Sequence, residues 1–446
     1  WIGQLYTTIN CILQINSLKK KLEEKQSLDA EERLKRELDE YVAFAAELNE
    51  QHPTVFSKLL QGTQSDVDPE SHAENIVRSY EAGETATVRL VRRLVRKCLQ
   101  GFRRTLRLAG VEFDSWDWES DLVWDGTVAS AVEGLTKTDF VTTEQGALAL
   151  NVDRAADTFN LKARLGYDAG YEISPLVLRR KDGTTLYTTR DIAYHIKKLK
   201  TAERVVNVIG VDQKLAQQQL KVALYLLGYS SVLDNLTHYA YEMVHLPGYK
   251  MSRRRGRYVT FDEIMDQAIS MAYAELEKRS PQMAAGMKRR ISRTVGIGAV
   301  KHAMLNVSST KAVTFTWDRV LNFETNSGPF IQYAHARACS VIRKARSKPR
   351  QPDFTLMTHP LERKVMLMVA RFPEVFREAA DDLKPELLLE FANALADAFN
   401  AFYNELPILR AEKTPLRDSR LCLVHDTRAA LHNSLELVGI NAPSRM

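Results

Sequence analysis

The chain has few cysteines and no long apolar run, and both shortages exclude classes of protein. Its isolated thiols are Cys11, Cys98, Cys339 and Cys422. Such spacing cannot form the Cys-x-x-Cys pairs of a zinc knuckle, and it is typical of a reducing compartment. No apolar run approaches the roughly 18 residues that span a bilayer. We therefore expect a cytoplasmic protein with no zinc and no membrane contact.

The chain also lacks a strong excess of one charge. It carries 62 basic and 56 acidic residues, a net charge of +6, which is compatible with a polyanionic partner but does not require one. A hydrophobic content of 45% is too high for a disordered chain. Its 446 residues correspond to about three domains.

The hydrophobic pattern changes twice along the chain. Residues 1–60 and 68–110 are helical in period, and so is nearly everything from about residue 262 to the end. Between these parts, strands alternate with helices, which predicts a parallel sheet with ligands beyond the carboxyl ends of its strands. The predicted strands are 173–179, 185–187, 204–210 and 237–245, and the predicted helices are 191–199 and 213–227. The apolar run in 204–210 predicts a strand that is covered on both faces.

Two charged segments leave alternatives open. Arg89, Arg93, Arg96, Arg104 and Arg107 recur at near-helical spacing, which suits either phosphate contact or ordinary surface charge. The segment 113–121 interleaves four carboxylates with two tryptophans. Paired acids can bind a metal or transfer protons. Because no histidine accompanies them, we favour a loop that packs its aromatic rings and caps the next helix, and we predict no metal site.

A cationic loop follows the last predicted strand. Its basic residues are Lys250, Arg253, Arg254, Arg255 and Arg257, and Gly248 and Gly256 give it conformational freedom. Such a loop could close on a triphosphate and stabilise the charge that builds as pyrophosphate leaves. By composition alone, a nonspecific basic patch fits as well.

The order of residues in this loop separates the two alternatives. Lys250-Met251-Ser252-Arg253-Arg254 resembles the Lys-Met-Ser-Lys-Ser signature of class I aminoacyl-tRNA synthetases. Further segments, in the family's order, resemble archaeal-type arginyl-tRNA synthetases: 187–194, 208–215, 256–259, 328–337 and 435–446. The resemblance covers the chain from about residue 70 to its end.

The resemblance implies a fold of α/β plus all-α type. A partial Rossmann-type parallel sheet with a helical insertion would precede a C-terminal helix bundle that binds the anticodon. The implied parts are a helical remnant of the first catalytic half (1–60), a helical or mixed connective insertion (61–168), the second catalytic half with the Lys-Met-Ser loop (169–280) and the anticodon-binding domain (281–446).

The implied activity is that of an arginine–tRNA ligase. ATP, accompanied by Mg²⁺, would activate L-arginine to arginyl-adenylate, and the arginyl group would pass to the 3′ end of tRNA(Arg). We expect a monomer. The alternative is a noncatalytic tRNA- or RNA-binding relative, or a fragment of such an enzyme. A cysteinyl-tRNA synthetase would show a zinc-ligand set, which the cysteine spacing excludes.

The resemblance also assigns roles to residues in the α/β part. A guanidinium substrate calls for a carboxylate and oriented hydrogen-bonding groups, and Tyr187, Asp191 and Gln213 match the positions that hold the arginine side chain. Their structural alternatives are a core tyrosine, a helix N-cap and a polar residue at a helix start. The implied ATP-binding residues are Met243, Val244, Lys250, Met251, Ser252 and Arg253, of which Lys250, Ser252 and Arg253 would be catalytic.

In the C-terminal bundle, base recognition needs flat side chains for stacking and polar groups for base edges. Tyr333, His335, Arg337 and Tyr403 supply both, and the family places a residue like Met446 at the anticodon loop. Helix packing is the alternative for each of them.

One family signature is absent from this sequence. The class I His-x-Gly-His motif, which helps to bind ATP, is not found, and the family would place it upstream of Trp1. We therefore expect a fragment, a truncated form or one half of a split enzyme. Because single preorganised donors are worth roughly 10² to 10³ in rate, such a chain alone would bind tRNA but scarcely activate arginine.

Overall fold

A computed structural model describes residues 2–24, 27–65, 68–144, 146–248, 259–346 and 348–446. The chain forms two compact units. One comprises Trp1–Arg107 and Gly248–Glu263, and the other comprises Leu108–Pro247 and Ile264–Met446. In the described ranges, no helix combines the length and the apolar character that crossing a membrane requires.

The first unit is helical where it is described. Its helices are α1 (Ile2–Glu23), α2 (Leu28–Gln51), α3 (Pro53–Ser65), α4 (Pro69–Glu81) and α5 (Thr85–Leu108). A small core of Cys11, Leu18, Tyr41, Phe44 and Leu48 joins α1 to α2. Helix α5, which carries the arginine stripe, contributes no buried residue.

The second unit opens with a mixed layer. Its elements are α6 (Glu119–Trp124), α7 (Thr127–Thr136), β1 (Val141–Glu144), β2 (Ala147–Leu150), α8 (Val152–Thr158) and β3 (Leu176–Arg179). The three strands form an antiparallel sheet in the order β1-β2-β3. Leu150, fully buried, pairs with Val141 on one side and Leu176 on the other.

A β–α–β unit follows and positions the candidate site. Its elements are α9 (Tyr187–Leu199), β4 (Val205–Gly210), α10 (Lys214–Leu226), α11 (Val232–Asn235) and β5 (Leu236–Tyr241). Strands β4 and β5 are parallel, with Val205 opposite Leu236 and Gly210 opposite Tyr241. Ile192 of α9 and Leu220 and Leu224 of α10 are fully buried in one cluster. Burial of each such side chain contributes roughly 1.5–3 kcal/mol, so both helices are anchored to this core.

The rest of the second unit is mainly helical. Its elements are β6 (Val244–His245), α12 (Phe261–Arg279, whose first turn belongs to the first unit), α13 (Ala285–Leu305), β7 (Val313–Thr314), α14 (Trp317–Val320), α15 (Gly328–Ala345), α16 (Pro360–Asp381), α17 (Pro385–Glu405) and α18 (Thr414–Leu437). Strands β6 and β7 pair in parallel. A Cβ at Gly328 would lie 2.6 Å from the carbonyl oxygen of Gly298, so α13 and α15 pack with their backbones in contact.

The fold class predicted from the sequence is confirmed, but three predicted elements differ in detail. The predicted strand 185–187 is reduced to a single bridge between Arg179 and Thr185, and Tyr187 begins α9 instead. The Thr189 hydroxyl donates to the Leu178 carbonyl (2.8 Å), which ties the first turn of this helix to β3. The predicted strand 237–245 is divided into β5 and β6. The predicted domain boundaries stay a prediction.

The third difference concerns the faces of β4. Its side chains alternate between buried and exposed positions, and Val208 is 62% exposed. The continuous apolar run therefore does not signal cover on both faces within the described residues.

A buried ion pair links two helices of the bundle. The Arg420 Nε donates to Glu362 Oε1 (2.6 Å), and its Nη1 donates to the Pro407 carbonyl. The second carboxylate oxygen of Glu362 accepts the backbone N–H of His359, at the start of α16. Glu362 and Arg420 are 1% and 7% exposed, so neither charge has water to replace its partner.

Replacing Arg420 by Met should leave the Glu362 carboxylate buried without a counter-ion. We expect a loss of about 3–5 kcal/mol in the free energy of unfolding, measured by urea denaturation. The control is Lys384→Met, which breaks an exposed pair with Asp382 and should change little. Equal, small losses in both variants would show that the Glu362–Arg420 pair does not stabilise the fold.

A second prediction concerns acid stability. Burial lowers the pKa of His302 from 6.5 to about 4, and its Nε2 lies 3.2 Å from the amide nitrogen of Asn393. Between pH 6.5 and pH 4, His302 binds a proton in the unfolded chain but stays unprotonated in the folded chain. The free energy of unfolding therefore falls as the pH falls. We expect His302→Gln to remove roughly 2 kcal/mol of this pH dependence, measured as the difference in unfolding free energy between pH 7 and pH 4.5. An unchanged slope in the variant would refute it.

Candidate functional site

The three predicted arginine-binding residues lie on the β–α–β unit. Tyr187 is the first residue of α9, Asp191 lies one turn later, and Gln213 follows the carboxyl end of β4. The Tyr187 hydroxyl donates to Gln213 Oε1 at 2.9 Å. Gln213, after a parallel strand, and Tyr187 and Asp191, on the preceding helix, therefore lie at the same edge of the sheet.

The structural alternatives do not describe the positions of Tyr187 and Asp191, but the alternative for Gln213 does. Tyr187 is 58% exposed, so it is not a core tyrosine. Asp191 lies inside α9, whose N-cap is Leu186, so it does not cap that helix. Gln213 is the N-cap residue of α10, at a helix start, although its side chain makes no capping hydrogen bond. Instead its amide nitrogen donates to Asp212 Oδ2 at 2.9 Å.

The acidic segment 113–121 packs against α9. A cavity of about 240 Å³ separates the two, and its lining residues are Asp117, Trp118, Glu119, Leu122, Tyr187, Arg190, Asp191, Tyr194 and Lys197. The Tyr194 hydroxyl donates to Asp117 Oδ2 (2.8 Å), and the Lys197 ammonium lies 3.3 Å from Asp117 Oδ1. The hydrogen bond from Tyr194 is the main reason that the pKa of Asp117 lies below its usual value.

These contacts support the structural interpretation of the acidic segment. Its Phe113 and Trp116 rings meet edge to face at 5.4 Å, and Glu119 lies 3.6 Å from the Arg190 guanidinium. The N-cap residue of α6, Trp118, makes no side-chain capping hydrogen bond, so the expected cap is not seen at that residue. Among the residues that the structure describes, no cluster of acids, histidines and cysteines is arranged to hold a metal.

Only some of the predicted ATP-binding residues lie within the described residues. Lys250, Met251, Ser252 and Arg253 lie outside the described residues. Met243 is 63% exposed, and its carbonyl accepts the backbone N–H of Val313 at 3.1 Å. Val244 pairs with Val313 in the short parallel ladder of β6 and β7. The adenine contact and the phosphate contacts stay predictions.

The predicted RNA-binding residues separate into two groups. Arg337 of α15 lies between the rings of Tyr333 and Tyr403, 4.8 Å from each centroid, and donates to Asn400 Oδ1 at 2.6 Å. Tyr333 and Tyr403 are 41% and 37% exposed. The structure therefore presents a cation between two aromatic rings at the bundle surface, an arrangement suited to stacking on a base.

The other two predicted RNA-binding residues, His335 and Met446, pack against the protein itself. His335 is 4% exposed, its Nδ1 lies 3.0 Å from the Pro443 carbonyl, and burial lowers its pKa. Met446 packs against a core cluster that includes Ile291 and Val295. Both side chains thus hold the C-terminal segment against the bundle in this structure, which is the helix-packing alternative.

Two family models match the chain. The catalytic domain of class I (R) tRNA synthetases matches residues 14–317, and the DALR anticodon-binding domain matches residues 331–446. The first of these covers more than half of the chain and includes Tyr187, Asp191 and Gln213. The second includes Tyr333, Arg337 and Tyr403.

Curated relatives and solved structures agree with these matches. The arginine–tRNA ligase of Ignicoccus hospitalis is 40% identical over 451 residues, which cover 100% of this chain and 69% of the relative. The arginine–tRNA ligase of Pyrobaculum islandicum is 37% identical, and the alignment covers 100% of this chain and 70% of the relative. The arginyl-tRNA synthetase structure of Thermus thermophilus superposes with a TM-score of 0.75 at 28% identity, over 88% of this chain and 70% of that one.

Proposed function

This chain belongs to the class I arginyl-tRNA synthetase family, and from that premise we propose that it acts as an arginine–tRNA ligase. The observation that carries the proposal is the Asp191 carboxylate beside the hydrogen-bonded pair of Tyr187 and Gln213. This acidic, polar site lies in the part of the chain that matches the class I catalytic domain. A noncatalytic RNA-binding relative would have no use for it.

Arginine selection rests on charge and shape. A guanidinium presents a planar fork of N–H donors, which a carboxylate can accept in pairs. The Asp191 side chain is 29% exposed, so part of it is open to a ligand. The Tyr187 hydroxyl and the Gln213 amide lie at the same edge of the sheet and would orient the remaining donors. A lysine side chain would lack the fork, and citrulline would lack the charge.

The proposed reaction has two transfers. The arginine carboxylate attacks the α-phosphorus of ATP, and pyrophosphate leaves. A ribose hydroxyl at the 3′ end of the tRNA then attacks the arginyl carbonyl, and AMP leaves. Catalysis consists of positioning and charge neutralisation, with Lys250 and Arg253 proposed at the phosphates. Mg²⁺ would arrive with ATP, bound mainly through phosphate oxygens.

We propose that the group formed by Tyr333, Arg337 and Tyr403 contacts the anticodon loop of tRNA(Arg). The proposal is supported by the match of this region to an anticodon-binding domain. Exposed rings offer stacking surfaces to unpaired bases, and the guanidinium offers charge to the backbone. We further propose a cytoplasmic monomer, consistent with the free state of all four cysteines.

Replacing Asp191 by Asn should weaken arginine recognition selectively. Loss of a charge-assisted pair costs about 2–4 kcal/mol, so kcat/KM for arginine should fall roughly 30- to 1000-fold. The preference for arginine over citrulline should narrow as well. The measurement is arginine-dependent ATP–pyrophosphate exchange with tRNA present, in the complete reading frame that contains this chain. Asp168→Asn, at an exposed carboxylate of the same unit, is the control. An unchanged KM for arginine in Asp191→Asn would refute this site.

Replacing Tyr333 or Tyr403 by Leu should weaken tRNA binding. Each lost stacking contact costs roughly 1–3 kcal/mol, or about 5- to 150-fold in Kd. Fluorescence anisotropy with labelled tRNA measures the effect, and arginine affinity should stay constant. Phe376→Leu removes another exposed aromatic ring of the bundle and serves as the matched control. If it weakened tRNA binding as much as Tyr333→Leu, the surface assignment would be wrong.

A further inference from the structure

Four polar side chains form a closed ring of hydrogen bonds on the protein side of the Asp191 carboxylate. The other three members are His195, Asn207 and Gln217, which are 1%, 9% and 4% exposed. They come from three different elements of the β–α–β unit, namely α9, β4 and α10. None of the three was singled out from the sequence.

The distances close the ring. His195 Nδ1 lies 3.2 Å from Asp191 Oδ1 and 2.8 Å from the Asp191 carbonyl. His195 Nε2 lies 2.8 Å from Asn207 Nδ2. The same Asn207 nitrogen donates to Gln217 Oε1 at 2.6 Å, and Gln217 Nε2 donates back to Asp191 Oδ2 at 3.4 Å. Both oxygens of one carboxylate are therefore held from within the protein.

The donors and acceptors of the ring are complementary. The Asp191 carboxylate accepts from His195 Nδ1, and His195 Nε2 lies 2.8 Å from the amide nitrogen and 3.1 Å from the amide oxygen of Asn207. The Asn207 amide nitrogen donates to Gln217 Oε1, and the Gln217 amide nitrogen donates to Asp191. Lys198 Nζ donates to the same Asn207 oxygen at 3.4 Å. Each of the four side chains thus has hydrogen-bonding partners within the ring.

We propose that His195, Asn207 and Gln217 are positioning residues that fix the orientation of Asp191 for the guanidinium of arginine. The proposal rests on the proposed role of Asp191. The terminal torsion of an aspartate is soft and roughly two-fold, whereas a paired guanidinium needs both carboxylate oxygens in one plane. Bonds to both oxygens from the buried side restrict that torsion and leave the partly exposed side for substrate.

The ring also couples the two halves of the arginine site. Gln217 lies one helical turn after Gln213, and His195 lies one turn after Asp191. A bond path through Asn207 of β4 therefore ties the start of α10 to α9. Because binding sites lose affinity when polar groups are loosely held, the ring should affect arginine more than the other substrates.

The test is Gln217→Met, which keeps the length of the side chain and removes its donor. In the complete reading frame that contains this chain, with tRNA present, we expect KM for arginine in ATP–pyrophosphate exchange to rise about tenfold, with KM for ATP and for tRNA unchanged. Gln218→Met is the matched control: it lies next to Gln217, outside the ring, and its buried amide oxygen has no hydrogen-bond partner. A change of similar size in Gln218→Met, or an equal fall in kcat with every KM unchanged, would overturn the proposal.

A double-variant experiment separates this proposal from the proposed function. If Gln217 acts through Asp191, Gln217→Met should have almost no effect in an Asp191→Asn background. A full tenfold effect in that background would overturn the positioning role. If Asp191→Asn raises KM for arginine but Gln217→Met does not, this inference fails and the proposed function stands. If Asp191→Asn itself has no effect, the proposed function fails.

A conservative replacement guards against loss of folding. His195→Asn keeps a donor near the position of Nδ1, whereas His195→Leu removes it. We expect His195→Asn to retain more of the arginine affinity than His195→Leu, with thermal unfolding recorded for both. Equal KM values for arginine in the two folded variants would count against the proposal.

Discussion

The proposed arginine site depends on one carboxylate that must stay in a fixed place at the edge of a parallel sheet. Asp191 is carried by α9, and its two oxygens meet groups from α9 and α10. The buried faces of these helices share one core, in which Ile192 and Leu220 are fully buried. Apolar packing thus sets the distance between α9 and α10, and the proposed role of the polar ring is to fix the orientation of the Asp191 carboxylate. Both the packing and the ring would be needed to present this carboxylate to a guanidinium in a defined plane.

The C-terminal bundle presents a different kind of surface. The proposed contact with the anticodon loop requires exposed rings and a cation that do not collapse onto each other or into the core. Arg337 is anchored by Asn400 and flanked by Tyr333 and Tyr403, so the two rings and the guanidinium hold one another in place. Beneath them, α13 and α15 meet closely enough that Gly328 admits no side chain. The buried pair of Arg420 and Glu362 adds a directional contact to an otherwise apolar core.

The fold and the family could be predicted from the sequence because the motifs that indicate them are local and occur in a fixed order. The alternation of strands and helices, and the succession of motifs from Tyr187 to Met446, identified the fold and the family. What could not be predicted depends on pairing over distance. The β-like composition around Tyr187 concealed a helix start that is fixed by contact with β3. Asn207 and Gln217 resemble any polar residues in a strand and a helix, and only the packing of α9, β4 and α10 brings them to His195. Likewise, Arg337 and Tyr403 are 66 positions apart along the chain, and only the packing of α15 on α17 makes them neighbours.

The most direct test is a crystal structure of the protein with bound L-arginine. We predict guanidinium nitrogens about 2.7–2.9 Å from the Asp191 carboxylate oxygens, with the contacts of His195 and Gln217 to that carboxylate retained. Arginine bound with its guanidinium away from Asp191, or an Asp191 side chain turned out of the ring in the complex, would contradict the account.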